Sequence, residues 1–490
     1  MTKVTIKRIA TGVPGLDEIL GGGLPELSFN VIAGLPGCGK TTLAHQMMFA
    51  MASPAQPALY LTAFGEPPLK MLRYQQQFNF FERTRVQSSI RYVNLSEESA
   101  EDEFDRVLRR IAAEVQAQAP GYVFIDSFRS MVGEEGYAGQ KKFQKFLQRL
   151  GMLMTTWNAT TFLIGEYPDE AALNPVFTVA DGVIWLRQSV QRNSMVRKVE
   201  IKKMRGQATL PGLHTFRIGS EGINIFPPAQ RDGNPGAQAP AGTAASRAKT
   251  GLPILDDMLG GGLPRGYSML VAGPTGSGKS ILASSFLIEG AQRGETGVIA
   301  VFEQDPDRKR NSALTDLIES GQVGIVDSRS PDLSIDEIVL EVMTEIQRLK
   351  ASRVVIDSLS GFELGVAPTF QEDFRESLSR MITALSRTGV TVLMTSELED
   401  RYTDLRFSPY GSAFLTDAIV VQRYIELDSR LERVMAVVKV RASKHSNDLR
   451  LYSIDDHGIR IGQPLDQYKG LLGGRPVLKE QARLGSTRQP

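Results

Sequence analysis

Cysteine is almost missing from this 490-residue chain, where Cys38 stands alone. No intramolecular disulfide and no cysteine-rich zinc site can form, which points to a reducing compartment. Histidine is scarce too: there are four, none in an HExxH pair, so a resident transition metal is not expected. Long apolar runs are also lacking. No uncharged stretch nears the ~18 residues a membrane helix requires, and the opening MTKVTIKRIA has no apolar core of a signal peptide. The expected setting is the cytoplasm, away from membranes. Neither charge is in excess, with 56 Lys and Arg against 55 Asp and Glu. A surface built to neutralise nucleic acid would show a basic surplus, so nucleic acid is not the expected partner. The remaining composition, 42% hydrophobic and 23% charged, is enough for sizeable cores.

What is present is written twice. TGVPGLDEILGGGLPE (Thr11–Glu26) and TGLPILDDMLGGGLPR (Thr250–Arg265) share 11 of 16 residues at an offset of 239. GLPGCGKT (Gly34–Thr41) and GPTGSGKS (Gly273–Ser280) follow at the same offset. GYVFIDSF pairs with RVVIDSLS, VADGVIWLR with LTDAIVVQR, and IKKMRG with VVKVRA, in the same order. This is a tandem duplication. Domains are expected at 1–228 and 249–462, separated by a Pro-, Ala- and Gly-rich linker at 229–248 and followed by a tail at 463–490. Apolar runs such as LSFNVIAG, PALYLTAF, YVFID and TTFLIG alternate with helical stretches, as a mostly parallel α/β sheet requires. Later strands lack intervening helices, so an antiparallel extension is expected to close each domain.

The duplicated loops fit G-x-x-x-x-G-K-[ST], the phosphate-binding P-loop, in its proper strand-to-helix context. Backbone N–H groups would cradle phosphates at a helix N-terminus. The expected nucleotide-binding residues are Gly34, Leu35, Pro36, Gly37, Cys38, Gly39, Lys40, Thr41 and Thr42, then Gly273, Pro274, Thr275, Gly276, Ser277, Gly278, Lys279, Ser280 and Ile281. Lys40 and Lys279 supply charge; Cys38 reads as a small filler. Thr41 and Ser280 offer hydroxyls to Mg²⁺, and Asp126 and Asp357, ending apolar runs, are the expected Walker-B carboxylates. A base for the attacking water is sought after the second strand, in TAFGEPP and AVFEQDP. Aligned on phenylalanine, Gly65 faces Glu303 and Glu66 faces Gln304, so each copy keeps one carboxylate. Lys203 and Arg205, and Lys439 and Arg441, place two cations two residues apart. Late in each domain, they suit either a neighbouring subunit's site or an edge-strand surface. As trans fingers they would be worth ~10³–10⁵ in rate.

Together GLDEILGGGLP and ILDDMLGGGLP, both P-loops, FIDS and VIDSLS, KMRG and GINIFP resemble the KaiC family of RecA-superfamily double-domain ATPases, over about residues 8–475. The resemblance implies two tandem RecA-like P-loop NTPase domains, ATP and Mg²⁺ as ligands, and a homohexamer of two stacked rings with nucleotide between subunits. It also implies signalling or Kai-type protein partners. The family has two adjacent glutamates after the second strand, the first being the water-activating base. That place holds Gly65 in the first domain and Glu303 in the second. Serine/threonine autokinase activity is a further implication. The family's phosphorylated Ser–Thr pair is matched here by Ala413 and Phe414, which have no hydroxyl, with Ser408, Ser412 and Thr416 nearby. A RecA- or DnaB-like DNA motor and a ring with negligible turnover are the other readings.

Overall fold

The short apolar runs, rich in Val, Ile and aromatic residues, become the strands at the centre of each repeat. The computed structural model describes residues 6–62, 68–95, 103–126, 137–167, 175–191, 194–228, 246–302, 312–327, 334–365, 374–398, 415–427, 429–469 and 477–478. The chain separates into two units, Met1–Pro228 and Ala229–Pro490.

In the first unit nine strands lie in the order Ile90–Asn94, Ala58–Thr62, Tyr122–Asp126, Thr160–Glu166, Phe29–Gly34, Gly182–Gln191, Ser194–Met204, His214–Gly219 and Gly222–Phe226. The first six run parallel. The last three join antiparallel. The second unit repeats this order with Val323–Asp327, Gly297–Val301, Arg353–Asp357, Thr391–Glu397, Ser268–Gly273, Ala418–Leu427, Arg430–Val440, Arg450–Asp455 and Gly458–Pro464. The mostly parallel sheet with an antiparallel extension, expected from the sequence, is therefore what each unit contains.

Side chains alternate between the faces of a strand, and each sheet is covered on both. In the first unit Phe124, Phe162 and Ile164 pack with Leu43, Ala44 and Met47 of the helix Lys40–Met51. Val123, Ile125 and Leu163 pack on the other face, against Val107, Ile111 and Leu150. The second unit divides in the same way around the helix Lys279–Gln292 on one side and Ile335–Leu349 with Phe374–Arg387 on the other. Local signals start these helices. Ser334 accepts from Glu337 N at 3.1 Å, the first half of a capping box that the S-x-x-E spacing encodes.

The duplicated GGG segment is held by an aspartate. Asp17 Oδ1 accepts from Thr11 N at 2.9 Å, and Asp256 Oδ1 from Thr250 N at 2.8 Å. The same residues' carbonyls take Gly22 N and Gly261 N, both at 2.7 Å. The two units part company at one buried rung. Arg353, 1% exposed, ion-pairs with Glu295 and donates to the Lys249 and Phe286 carbonyls, each at 2.7 Å. Its counterpart is Tyr122, which donates to Gln56 at 3.0 Å. A neutral pair thus stands where the second unit buries charge. Glu295 also pairs with Arg265, so removing Arg353 leaves that carboxylate one partner and strips the Lys249 and Phe286 carbonyls of their donor. Arg353→Ala is expected to cost the second unit about 3 kcal/mol, from two charge-assisted hydrogen bonds at about 1.5 kcal/mol each, read as a lower midpoint in denaturant unfolding, whereas Tyr122→Phe should cost about 1 kcal/mol.

Candidate functional site

Both P-loops occupy the turn between the C-terminal end of a central parallel strand and the helix after it, where parallel α/β sheets take their ligands. Gly39 and Gly278 cap those helices at φ +103° and +94°. A side chain at Gly39 would also meet Ile218 at 2.8 Å, so glycine is required on two counts. Lys40 curls back to donate to the Leu35 carbonyl at 2.8 Å, and Lys279 to the Gly273 and Pro274 carbonyls, also at 2.8 Å. The two ammonium groups thus lie inside the loops. Leu35, Pro36 and Gly37 are exposed, Cys38 is wholly buried, and Thr42 and Ile281 sit half-buried in the first helical turns.

Asp126 and Asp357 end strands two places from the P-loop strand. Thr41 Oγ1 donates to Asp126 Oδ2 at 3.0 Å, and Tyr60 Oη donates to the same oxygen at 2.7 Å. Burial pushes the Asp126 carboxyl up, against the opposing pull of Tyr60, Thr41 and Lys40. A hydroxyl and a carboxylate oxygen side by side beneath a phosphate loop are the hard oxygen donors Mg²⁺ prefers, so the residues present fit that ion. Asp357 instead accepts from Thr395, and Ser280 holds Thr41's place in the helix Lys279–Gln292.

The layers behind the two sites differ more than their motifs do. His45, one turn after Thr41, places Nδ1 2.8 Å from the Thr41 carbonyl, packs tilted against Tyr60 and stacks with Tyr92. Burial lowers its pKa to about 4, so the ring is neutral at pH 7. In the second unit side-chain hydrogen bonds hold the loop itself. Tyr452 Oη donates to the Ser277 carbonyl at 2.5 Å, Ser277 Oγ to Gln422 Oε1 at 3.0 Å, and Tyr424 Oη to the Thr275 carbonyl at 3.4 Å. Phe216 and Cys38 replace Tyr452 and Ser277 in the first unit, where the backing is apolar.

The expected cations lie elsewhere. Gly182 is paired with both Asn30 and Met204, whereas the P-loop begins at Gly34. Met204 thus stands four rungs from its own loop, about 13 Å at about 3.3 Å each, with Lys203 one rung nearer and Arg205 one residue further. Ala418, paired with Met269 and Val440, sets the same offset for Lys439 and Arg441. The strands end at Met204 and Val440, so both arginines fall in turns rather than on the strands. Lys203 donates to the Phe177 and Thr178 carbonyls, each at 3.1 Å, and Arg205 pairs with Asp181 at 3.1 Å. Lys439 donates to the Thr416 carbonyl at 2.6 Å, and Arg441 pairs with Asp417 at 3.4 Å. The other oxygen of each aspartate accepts from the first residue of the P-loop strand, Phe29 N or Ser268 N, at 3.0 Å. No motif had drawn attention to Asp181 or Asp417; their shared place in VADG and LTDA was the available signal.

Gly65, Glu66, Glu303, Gln304, Ser408, Ser412, Ala413 and Phe414 lie outside the described residues. Thr62 and Val301 stand opposite Asp126 and Asp357. Among the described residues no group of three or more His, Cys, Asp or Glu is arranged to hold a metal, and no helix is long and apolar enough to cross a membrane.

Two duplicated α/β sheets, each with a phosphate loop facing a strand-end aspartate, define a tandem P-loop ATPase. A family model described as ATPase: KaiC matches residues 9–230 and again 248–466, and the chain belongs to that family. Similar proteins include a circadian clock oscillator protein KaiC from Picosynechococcus sp., 26% identical across 96% of this chain and 93% of that protein. Another is the circadian clock oscillator protein KaiC 1 from Synechocystis sp., 26% identical across 96% and 92%. The circadian clock protein KaiC3 of the same source is 25% identical across 98% and 96%.

Cys38 is fully buried, and burial raises its thiol above the ordinary value of 9.0 despite Lys40 nearby. A thiol reagent at pH 8 should label the native protein at least ~100-fold more slowly than the unfolded chain, measured as chromophore release over time.

Proposed function

We propose that the protein binds and hydrolyses Mg-ATP at both P-loops as a cytoplasmic homohexamer of two stacked rings, with nucleotide state setting a conformation read by signalling or Kai-type partner proteins. The observation that carries nucleotide binding is the adjacency of Thr41 and Asp126 beneath the first loop, in a chain of the KaiC ATPase family. Gly34–Thr42 and Gly273–Ile281 would grip the triphosphate. When bound, Mg²⁺ would offset phosphate charge, held by Thr41 with Asp126 and by Ser280 with Asp357.

The position of the paired cations supports assembly. Lys203 and Arg205 root about 10 and about 16 Å from their own loop along the strands, too far to complete that site, and Lys439 and Arg441 repeat the arrangement. A neighbour's phosphates are the targets this leaves. Glu303 is proposed as the water-activating base of the second site, with Glu66 as the nearest loop carboxylate of the first. Autokinase activity is the alternative reading. Intact mass after incubation with Mg-ATP tests it, an added 80 Da per phosphate being the result that favours it.

Native mass spectrometry with and without ATP, coupled to phosphate release on the same sample, tests the main reading. A monomer that hydrolyses at full rate defeats it. Lys279→Ala should lower steady-state hydrolysis more than Lys40→Ala, and the reverse order contradicts the assignment of Glu303. Arg441→Ala should leave folding and hexamer mass unchanged while reducing turnover by at least ~10³-fold at the second site. Unchanged turnover in intact hexamers removes the trans role.

A further inference from the structure

Each unit carries a second strand-end carboxylate that belongs to none of the motifs above. Glu166 ends the strand Thr160–Glu166, and Glu397 ends Thr391–Glu397. Each is paired with the first glycine of its P-loop, Gly34 or Gly273. The following residue then donates to that glycine's carbonyl, Tyr167 N at 3.4 Å and Leu398 N at 3.1 Å. Adjacent strands lie ~4.8 Å apart, so the glutamate is rooted one strand from the phosphate loop, with the Asp126 or Asp357 strand on its other side.

Alternation fixes the direction. Phe162 and Ile164 pack on the sheet face that carries the P-loop helix, and Glu166, two residues beyond Ile164, inherits that face. Asp126 does so through Phe124. The two carboxylates therefore flank the space beyond the strand ends in which a γ-phosphate would lie.

The copies differ in what restrains this glutamate. In the second unit Thr275 Oγ1 donates to Glu397 Oε1, and Glu397 N donates to Ser360 Oγ at 3.1 Å. That carboxylate braces its own P-loop. Pro36 occupies the place of Thr275 in the first loop and has no hydroxyl to offer. The first unit is also the one with Gly65 where the family's base is expected.

We propose that Glu166 is a catalytic carboxylate of the first nucleotide site, accepting a hydrogen bond and then a proton from the water that attacks the γ-phosphate. The inference rests on the ATPase reading above. In the step, the water oxygen forms a bond to the γ-phosphorus and the bond from phosphorus to the β,γ-bridging oxygen breaks. ADP leaves with that electron pair, and the water's proton rests on Glu166 until it passes to the released phosphate. Glu397 has a different part, positioning the second loop through Thr275.

The test uses the full chain carrying Lys279→Ala, which confines turnover to the first site. Adding Glu166→Gln should leave binding of a fluorescent ATP analogue within threefold and the thermal unfolding midpoint unchanged. Single-turnover hydrolysis should fall ~100-fold, with bound nucleotide recovered as ATP. Glu166→Asp, keeping the carboxylate one methylene shorter, should recover at least tenfold of that loss. The proposal is overturned if Glu166→Gln hydrolyses at the parent rate, if it loses nucleotide binding, if Glu166→Asp recovers nothing, or if Glu66→Gln alone abolishes turnover. Parent protein that binds ATP without releasing phosphate overturns this inference and leaves second-site hydrolysis standing. Wild-type chain that binds no ATP defeats the proposed function instead.

Discussion

A strand turns successive side chains to opposite faces, and every group at the phosphate end of each unit takes its direction from that rule. Tyr60, Asp126 and Glu166 stand on three neighbouring strands yet face one side, because each follows a residue buried against the P-loop helix. Shift any of those strands by one residue and its functional group would turn into the opposite core. The apolar clusters on both faces thus do more than stabilise: they set the register on which the site depends.

Duplication kept that framework and changed the layer behind it. The first site rests on Tyr60, Tyr92 and a neutral His45, with a hydroxyl and a carboxylate directly joined at Thr41 and Asp126. The second is braced at the loop by Tyr424, Tyr452, Gln422 and Glu397. The first loop keeps the Lys40 and Tyr167 bonds to its carbonyls, and the second adds the tyrosine hydroxyls to its own. Two loops that share the G-x-x-x-x-G-K frame therefore differ in the side chains that hold them.

Much of this was legible in the sequence. The alternation of apolar runs with helices gave the parallel sheet, and strands without helices between them gave the antiparallel edge. The P-loops and the aspartates of FIDS and VIDS fall together because their spacing encodes a strand, a turn and a helix. Glu166 and Glu397 were not legible. They sit in TTFLIGE and TVLMTSE, where only strand order reveals that a residue more than 120 positions away borders the phosphate loop. Tyr60 reads in sequence as one more buried aromatic, and its hydroxyl's aim emerges only once the strands are laid side by side. The placing of Lys203 and Arg205 far from their own loop likewise follows from the antiparallel register, not from the KMR motif.

The carboxylates of Asp181 and Asp417 work with both oxygens at once. One oxygen anchors the backbone where the P-loop strand begins, and the other holds the arginine at the sheet's far end. A guanidinium drawn outward costs the aspartate only the second of these contacts. The anchor persists, so the arginine can move without slackening the strand that carries its own nucleotide loop.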